Sequence, residues 1–147
     1  TRQQYAVIKL LKHCGVDLTK VTVLTAGVSD VIDRKTFNHV GGHGGTFSKA
    51  SSSSLADENL TELITIDSLG LTGDIIIKAD VEGFEKKLID GAATTIQNSK
   101  PQLLISAYHN CDDLIVLTKK VLELNPDYRV ALRHHTHLRW DTCLYFF

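Results

Sequence analysis

Apolar side chains at Ala6, Val7, Leu10, Leu11 and Cys14 keep to one face of a helix, and Gly15 follows where a left-handed C-terminal residue stands. A helix is predicted over residues 5–14. The pattern then turns extended: residues 21–28 (VTVLTAGV) read as a buried strand ending in a small-residue turn before Ser29 and Asp30. Residues 63–67 form a short extended segment, and residues 74–80 a buried strand whose β-branched run Ile75-Ile76-Ile77 leads to Asp80. After Gly83 the apolar positions Phe84, Leu88, Ala92 and Ile96 predict one helix, ended by Lys100-Pro101. Residues 102–107 are a further buried strand, running into Tyr108 and His109. Asp112 and Asp113 sit in the first turn of the next helix, where carboxylates complement the backbone dipole. Leu114, Leu117, Val121 and Leu124 form its inner face, and Pro126 closes it.

Residues 128–132 and 142–147 read as two last strands joined without a helix, which predicts an antiparallel pair at one edge of an otherwise parallel sheet. The text differs between 36 and 54, where Gly41, Gly42, Gly44 and Gly45 surround His43 and Ser51 to Ser54 follow. That Gly/Ser-rich composition predicts a loop, read with equal weight as a lid or substrate loop and as a linker or disordered segment.

The length of 147 residues fits a single domain over 1–147, and 43% hydrophobic residues with a mean hydropathy of -0.02 describe a soluble globular chain. Sixteen basic against seventeen acidic side chains, with no basic run, argue against nucleic acid or an anionic membrane as partner. No apolar run approaches the roughly 20 residues of a membrane helix. Cys14, Cys111 and Cys143 form no metal-binding spacing and lie in apolar surroundings, so buried reduced thiols and a cytoplasmic location are expected. The chain begins at Thr1 and holds no methionine, which is expected of a segment from a longer protein.

Ligands of open α/β sheets bind beyond the carboxyl ends of the strands, and Asp80 and Glu82 stand there. They read as carboxylates lining a reaction crevice; the plainer reading is that Glu82 and Glu85 are charges at a helix start. Lys78 alternates with Asp80 and is expected to form its structural counter-ion. His109 ends the neighbouring strand and is the candidate general base, with Tyr108 beside it; the plainer reading is a surface histidine ahead of Asn110. His134, His135 and His137 suggest a metal at first sight. Adjacent His134 and His135 point to opposite sides of an extended chain, so no metal site is assigned and contact with substrate at the crevice mouth is preferred. Asp67 reads either as a group orienting the following loop or as a β-turn aspartate ahead of Ser68.

Residues 63–69 (LITIDSL), 77–85 (IKADVEGFE), Gly91-Ala92, Lys100-Pro101 with the strand after it, and the ending Asp141-Thr142-Cys143-Leu144-Tyr145 together resemble the FkbM family of S-adenosylmethionine-dependent methyltransferases. The resemblance implies an α/β fold with a Rossmann-like class I methyltransferase sheet, mostly parallel with a C-terminal antiparallel hairpin. Residues 21–28 would be its third strand, 75–80 the fourth, 102–107 the fifth and the terminal pair the sixth and seventh. Strands one and two, with the glycine-rich turn that receives the cofactor, are then missing. The chain reads as truncated at its N-terminus and impaired in cofactor binding by itself. The GGHGG cluster lacks a strand–turn–helix setting and does not replace that turn.

By resemblance the reaction is O-methylation, by S-adenosyl-L-methionine, of a hydroxyl on a sugar or other polyhydroxylated metabolite. Asp80 and His109 are the catalytic candidates. Ser29, Asp30 and Glu82 are placed on the cofactor, Asp80 or Glu82 alternatively on its amino acid end or a bound cation, and Tyr108 and His135 on the acceptor. The competing expectation is a non-catalytic Rossmann-like binding module. A hydrolase is disfavoured, because no GxSxG turn is present. A sheet edge left bare by missing strands would offer a surface for oligomerisation.

Overall fold

The computed structural model describes residues 2–40, 44–48, 60–137 and 140–147, and for 2–4, 36–40 and 44–48 the backbone alone. Helix α1 (Arg2–His13) ends in the left-handed Gly15 (φ 72°), as the apolar spacing predicts. Its apolar side chains are not packed away: Tyr5, Val7, Ile8 and Leu10 are all exposed.

Two four-stranded sheets follow. The first has the order β1-β4-β2-β3, from β1 (Ala26–Val28), β2 (Asp33–Val40), β3 (Gly44–Ser48) and β4 (Leu60–Ile64). Two expectations are corrected here. Only Ala26–Val28 of the predicted strand 21–28 is extended pairing, and it joins β4 in parallel instead of lying in the sheet with residues 75–80. The expected loop at 36–54 contains most of an antiparallel hairpin, with Thr36 opposite Ser48 and Val40 opposite Gly44. Polar β2 (DRKTFNHV) lacks strict apolar alternation, so its pairing comes from the backbone ladder to β3 and β4, which composition does not report. His43 and the serines 51–54 lie outside the described residues.

The second sheet has the order β5-β6-β8-β7, from β5 (Ile76–Ala79), β6 (Gln102–Ser106), β7 (Val130–His134) and β8 (Thr142–Phe146). β5 and β6 are parallel, while β8 runs antiparallel to both β6 and β7, which matches the expected terminal hairpin; the expectation of a mostly parallel sheet is corrected, because among the described residues each sheet holds one parallel and two antiparallel pairings. Its covered face carries Ile77, Ala79, Leu103, Ile105, Leu144 and Phe146, packed with Leu88, Ile89, Ile96, Leu117 and Val121 of the helices. The opposite face is open at Ile76, which is 68% exposed, and at Lys78. Among the described residues, helices therefore cover one face of this sheet, where the β-branched run predicts burial on both.

The helix expected over 84–99 is two: α2 (Glu85–Asp90) and α3 (Ala93–Ser99). The break has a long-range cause. Asp67, in a 3-10 turn after β4, accepts hydrogen bonds from the amides of Thr94 (3.0 Å) and Thr95 (2.8 Å) and from the Thr95 hydroxyl (2.7 Å), capping α3 from outside its own segment. Neither local reading of Asp67 foresees that. Its own amide donates to the Gly91 carbonyl at 2.9 Å, and Gly91 lies against Ser29 so closely that a Cβ there would sit 2.1 Å from the Ser29 carbonyl oxygen. Burial alone would raise the Asp67 carboxyl, but the bonds from Thr95 and Thr94 outweigh it and hold the group below its ordinary value.

α4 (Asp113–Leu124) buries Leu117 and Val121 as expected, whereas Leu114 is 41% exposed. All three cysteines are free, as predicted, but Cys14 and Cys111 are exposed and Cys143 half-buried, so the expectation of buried thiols is corrected.

Candidate active site

β5 delivers Asp80 to the carboxyl end of the sheet, and the chain then turns through Glu82 (φ 51°) and Gly83 (φ 92°) before α2 begins. Left-handed backbone suits Gly83 but costs a residue with a Cβ about 1–2 kcal/mol. Glu82 is held in that conformation by its surroundings, a form of strain that gathers at functional sites. One turn later Glu85 is fully buried, and its Oε1 accepts a hydrogen bond from the Val81 amide at 3.0 Å, tying the turn to the helix.

β6 delivers Tyr108 and His109 beside it. Asp113, also fully buried, accepts from the Asn110 amide (2.7 Å) and Nδ2 (3.0 Å), which fixes the chain just after His109. The imidazole sits among three carboxylates: Nδ1 is 3.0 Å from Glu85 Oε1, and Nε2 is 3.5 Å from Glu82 Oε2 and 3.7 Å from Asp80 Oδ1. Neither ring nitrogen makes an aligned hydrogen bond, and the buried Glu85 Oε2 has no partner. Among the described residues no lysine or arginine pairs with Asp80, Glu82 or Glu85, so the expected Lys78–Asp80 ion pair is not formed.

The Tyr108 hydroxyl donates to Asp80 Oδ1 at 2.9 Å. Burial, that hydrogen bond and the nearby charges of Asp80 and Glu82 push its phenol well above the usual tyrosine value, so it remains a neutral donor. Glu82, Tyr108, His109 and Trp140 border a cavity of about 560 Å³. The Trp140 ring meets Tyr108 edge-on, with centroids 6.2 Å apart.

The structure thus unites four of the sequence candidates, Asp80, Glu82, Tyr108 and His109. It leaves three outside. Ser29 is fully buried, its hydroxyl donated to Asp30 at 2.8 Å and its amide to Ile64, so it offers no surface to a cofactor. Asp30 is 3.9 Å from Lys87. His135 bonds through Nε2 to the Tyr145 hydroxyl at 2.8 Å. Two residues were missed. Glu85 looks in sequence like an ordinary helix-start charge, and Trp140 sits in a hairpin connection without any motif; the final glutamate of IKADVEGFE, four residues from the turn amide that it accepts, is the one signal that pointed to Glu85.

Comparison with known proteins identifies the setting. The profile of the Methyltransferase FkbM domain matches residues 4–138. The chain belongs to the FkbM methyltransferase family. The crystal structure of methyltransferase FkbM from Methylobacillus flagellatus KT superimposes with a TM-score of 0.75 at 32% sequence identity, over 99% of this chain and 33% of that one. The FkbM-family chain described above therefore spans about a third of the length of that relative. No curated protein sequence matches it. Among the described residues no helix is long and apolar enough to cross a membrane.

Proposed function

We propose that this FkbM domain serves S-adenosylmethionine-dependent O-methylation of a hydroxyl on a sugar or other polyhydroxylated metabolite, with the acceptor oxygen placed between Asp80 and His109. One observation carries the reading: the His109 ring is backed by buried Glu85 at Nδ1, its Nε2 lies 3.5 Å from Glu82 and 3.7 Å from Asp80, and His109 and Glu82 border one cavity. The family and the M. flagellatus relative support methyl transfer as the chemistry. Carboxylates and the aromatic rings of Tyr108 and Trp140 fit a methyl donor that carries positive charge, since both attract cations. When bound, that donor supplies an electrophilic methyl group.

The protein's own part is to position the acceptor and take up one proton. Tyr108 stays protonated and orients Asp80, so the proton goes to the Asp80, Glu82 and His109 cluster. Glu85 and Asp113 hold the two loops that meet there. Transfer of labelled methyl to polyhydroxylated acceptors, measured on this chain and on the longest natural protein containing it, tests the reading. Asp80→Asn and His109→Ala should each lower turnover about 10²- to 10⁴-fold with folding intact. Near-normal turnover in both variants would move the chemistry elsewhere.

A non-catalytic binding module is the second reading, favoured for the chain by itself by the open sheet face at Ile76. Titration with S-adenosylmethionine separates the two: the chain alone should bind more weakly than about micromolar, near -8 kcal/mol. Tighter binding would show that the chain grips the donor unaided.

A further inference from the structure

We infer that Asp80, Glu85 and His109 form a binding site for a divalent first-row metal cation, with Glu82 as a fourth donor at its mouth. Each of the three offers one ligand atom, and these atoms lie within 4.8 Å of one another. Carboxylate and imidazole donors around a divalent ion stand roughly 3 Å apart, a contraction that side-chain rotation of Asp80 and Glu82 can supply, because both are exposed.

Two further observations favour a cation there over an empty acidic cluster. The Glu85 side chain is wholly buried, yet its Oε2 has no hydrogen-bond partner, and both nitrogens of His109 are buried without one. A buried, unsatisfied carboxylate oxygen is costly and calls for a compensating charge. The charge is also unbalanced: three carboxylates surround one imidazole, and among the described residues no lysine or arginine pairs with any of them. Like charges this close repel one another strongly when partly buried. A divalent ion removes both penalties at once.

The donor set selects the class of ion. Two or three carboxylate oxygens and one imidazole suit Mn²⁺ or Zn²⁺, whereas thiolate-seeking ions have no ligand here and an imidazole is a poor donor for Ca²⁺ or Mg²⁺. With the ion bound, His109 serves as a ligand and the proton goes to a free carboxylate oxygen of Asp80 or Glu82, while positions left open toward the cavity of Glu82, Tyr108, His109 and Trp140 would take neighbouring oxygens of a polyhydroxylated acceptor. That last use rests on the methyltransferase reading; the binding itself does not.

The test therefore needs no methyl donor. Mn²⁺ is titrated into the chain and followed by loss of the free-ion electron paramagnetic resonance signal, with Zn²⁺ and Mg²⁺ as competitors. One saturable site is expected, displaced by Zn²⁺ far more readily than by Mg²⁺. Asp80→Asn, which alters an exposed side chain and leaves folding intact, and Glu85→Gln should each weaken it at least tenfold, while Glu123→Gln, at an exposed residue in the last turn of α4 that faces Lys119, leaves it unchanged. Zn²⁺ should shift the imidazole signals of the one histidine that disappears in His109→Ala. Absence of saturable binding at millimolar Mn²⁺, binding untouched by Asp80→Asn, or shifts confined to His134, His135 and His137 would each overturn the inference. Failure of methyl transfer with intact Mn²⁺ binding would overturn the functional reading alone.

Discussion

Replacing Gly91 by alanine sets two effects against each other, and the structure decides the sign. Gly91 ends α2 with φ -76° and ψ -2°, a conformation alanine adopts freely. On backbone grounds alone Gly91→Ala should stabilise by about 0.4–1 kcal/mol, because the unfolded chain loses freedom. The added Cβ, however, would lie 2.1 Å from the Ser29 carbonyl oxygen and 3.3 Å from the Thr65 Cβ. Ordinary contact needs about 3.5 Å, so the junction of β1 with α2 must open by roughly 1.4 Å. The obstacle is backbone and cannot swing aside. Opening strains the hydrogen bonds from the Ser29 amide to Ile64 and from the Asp67 amide to Gly91, both 2.9 Å, each worth about 1 kcal/mol. Overpacking adds about 1–3 kcal/mol. With the entropic gain set against these, a net loss of about 3 kcal/mol is expected, or a Tm lower by about 6–12 °C for a chain of this size. Urea unfolding with an unchanged m-value measures it. A Tm equal to or above that of the parent chain would refute the close approach of Ser29 and Gly91.

Asp67→Ala should cost about 1–2 kcal/mol at neutral pH by uncapping α3. Because the folded carboxyl is held below its ordinary value of 3.8, that contribution is complete above that value and disappears as pH falls through the lowered folded value; the gap between parent and variant in acid unfolding should close there, and a constant gap contradicts it. Glu82→Gly should raise stability by about 1 kcal/mol by relieving left-handed backbone, read as a higher midpoint in urea. Alkaline titration of tyrosine absorbance should lack Tyr108 and Tyr128 near pH 10, since burial also pushes Tyr128 up to about 12; Tyr108→Phe should leave the amplitude near pH 10 unchanged.

What the sequence disclosed follows from the range of the forces involved. β5, β6 and α4 rest on local apolar periodicity, and the terminal hairpin on a short connection, so residues near one another in sequence were sufficient evidence. The split of α2 from α3 depends on Asp67 and Ser29, each tens of residues away, and no window around Gly91 contains them. Asp80 and His109 were legible as a pair because adjacent parallel strands bring their ends together. Glu85 was not, since its burial arises only when α2 packs against α4 and sets it behind His109. The hairpin of β2 and β3 escaped because glycine and polar residues conceal a ladder made by the backbone.

The central claim is that Asp80 and His109 act on one acceptor oxygen. A double-mutant cycle in labelled methyl transfer tests it most directly, comparing Asp80→Asn, His109→Ala and the double variant in the longest natural protein containing the chain. The account predicts that the double variant loses little more than the worse single one, because the groups work as a unit. Losses that multiply independently, or none at all, would contradict it.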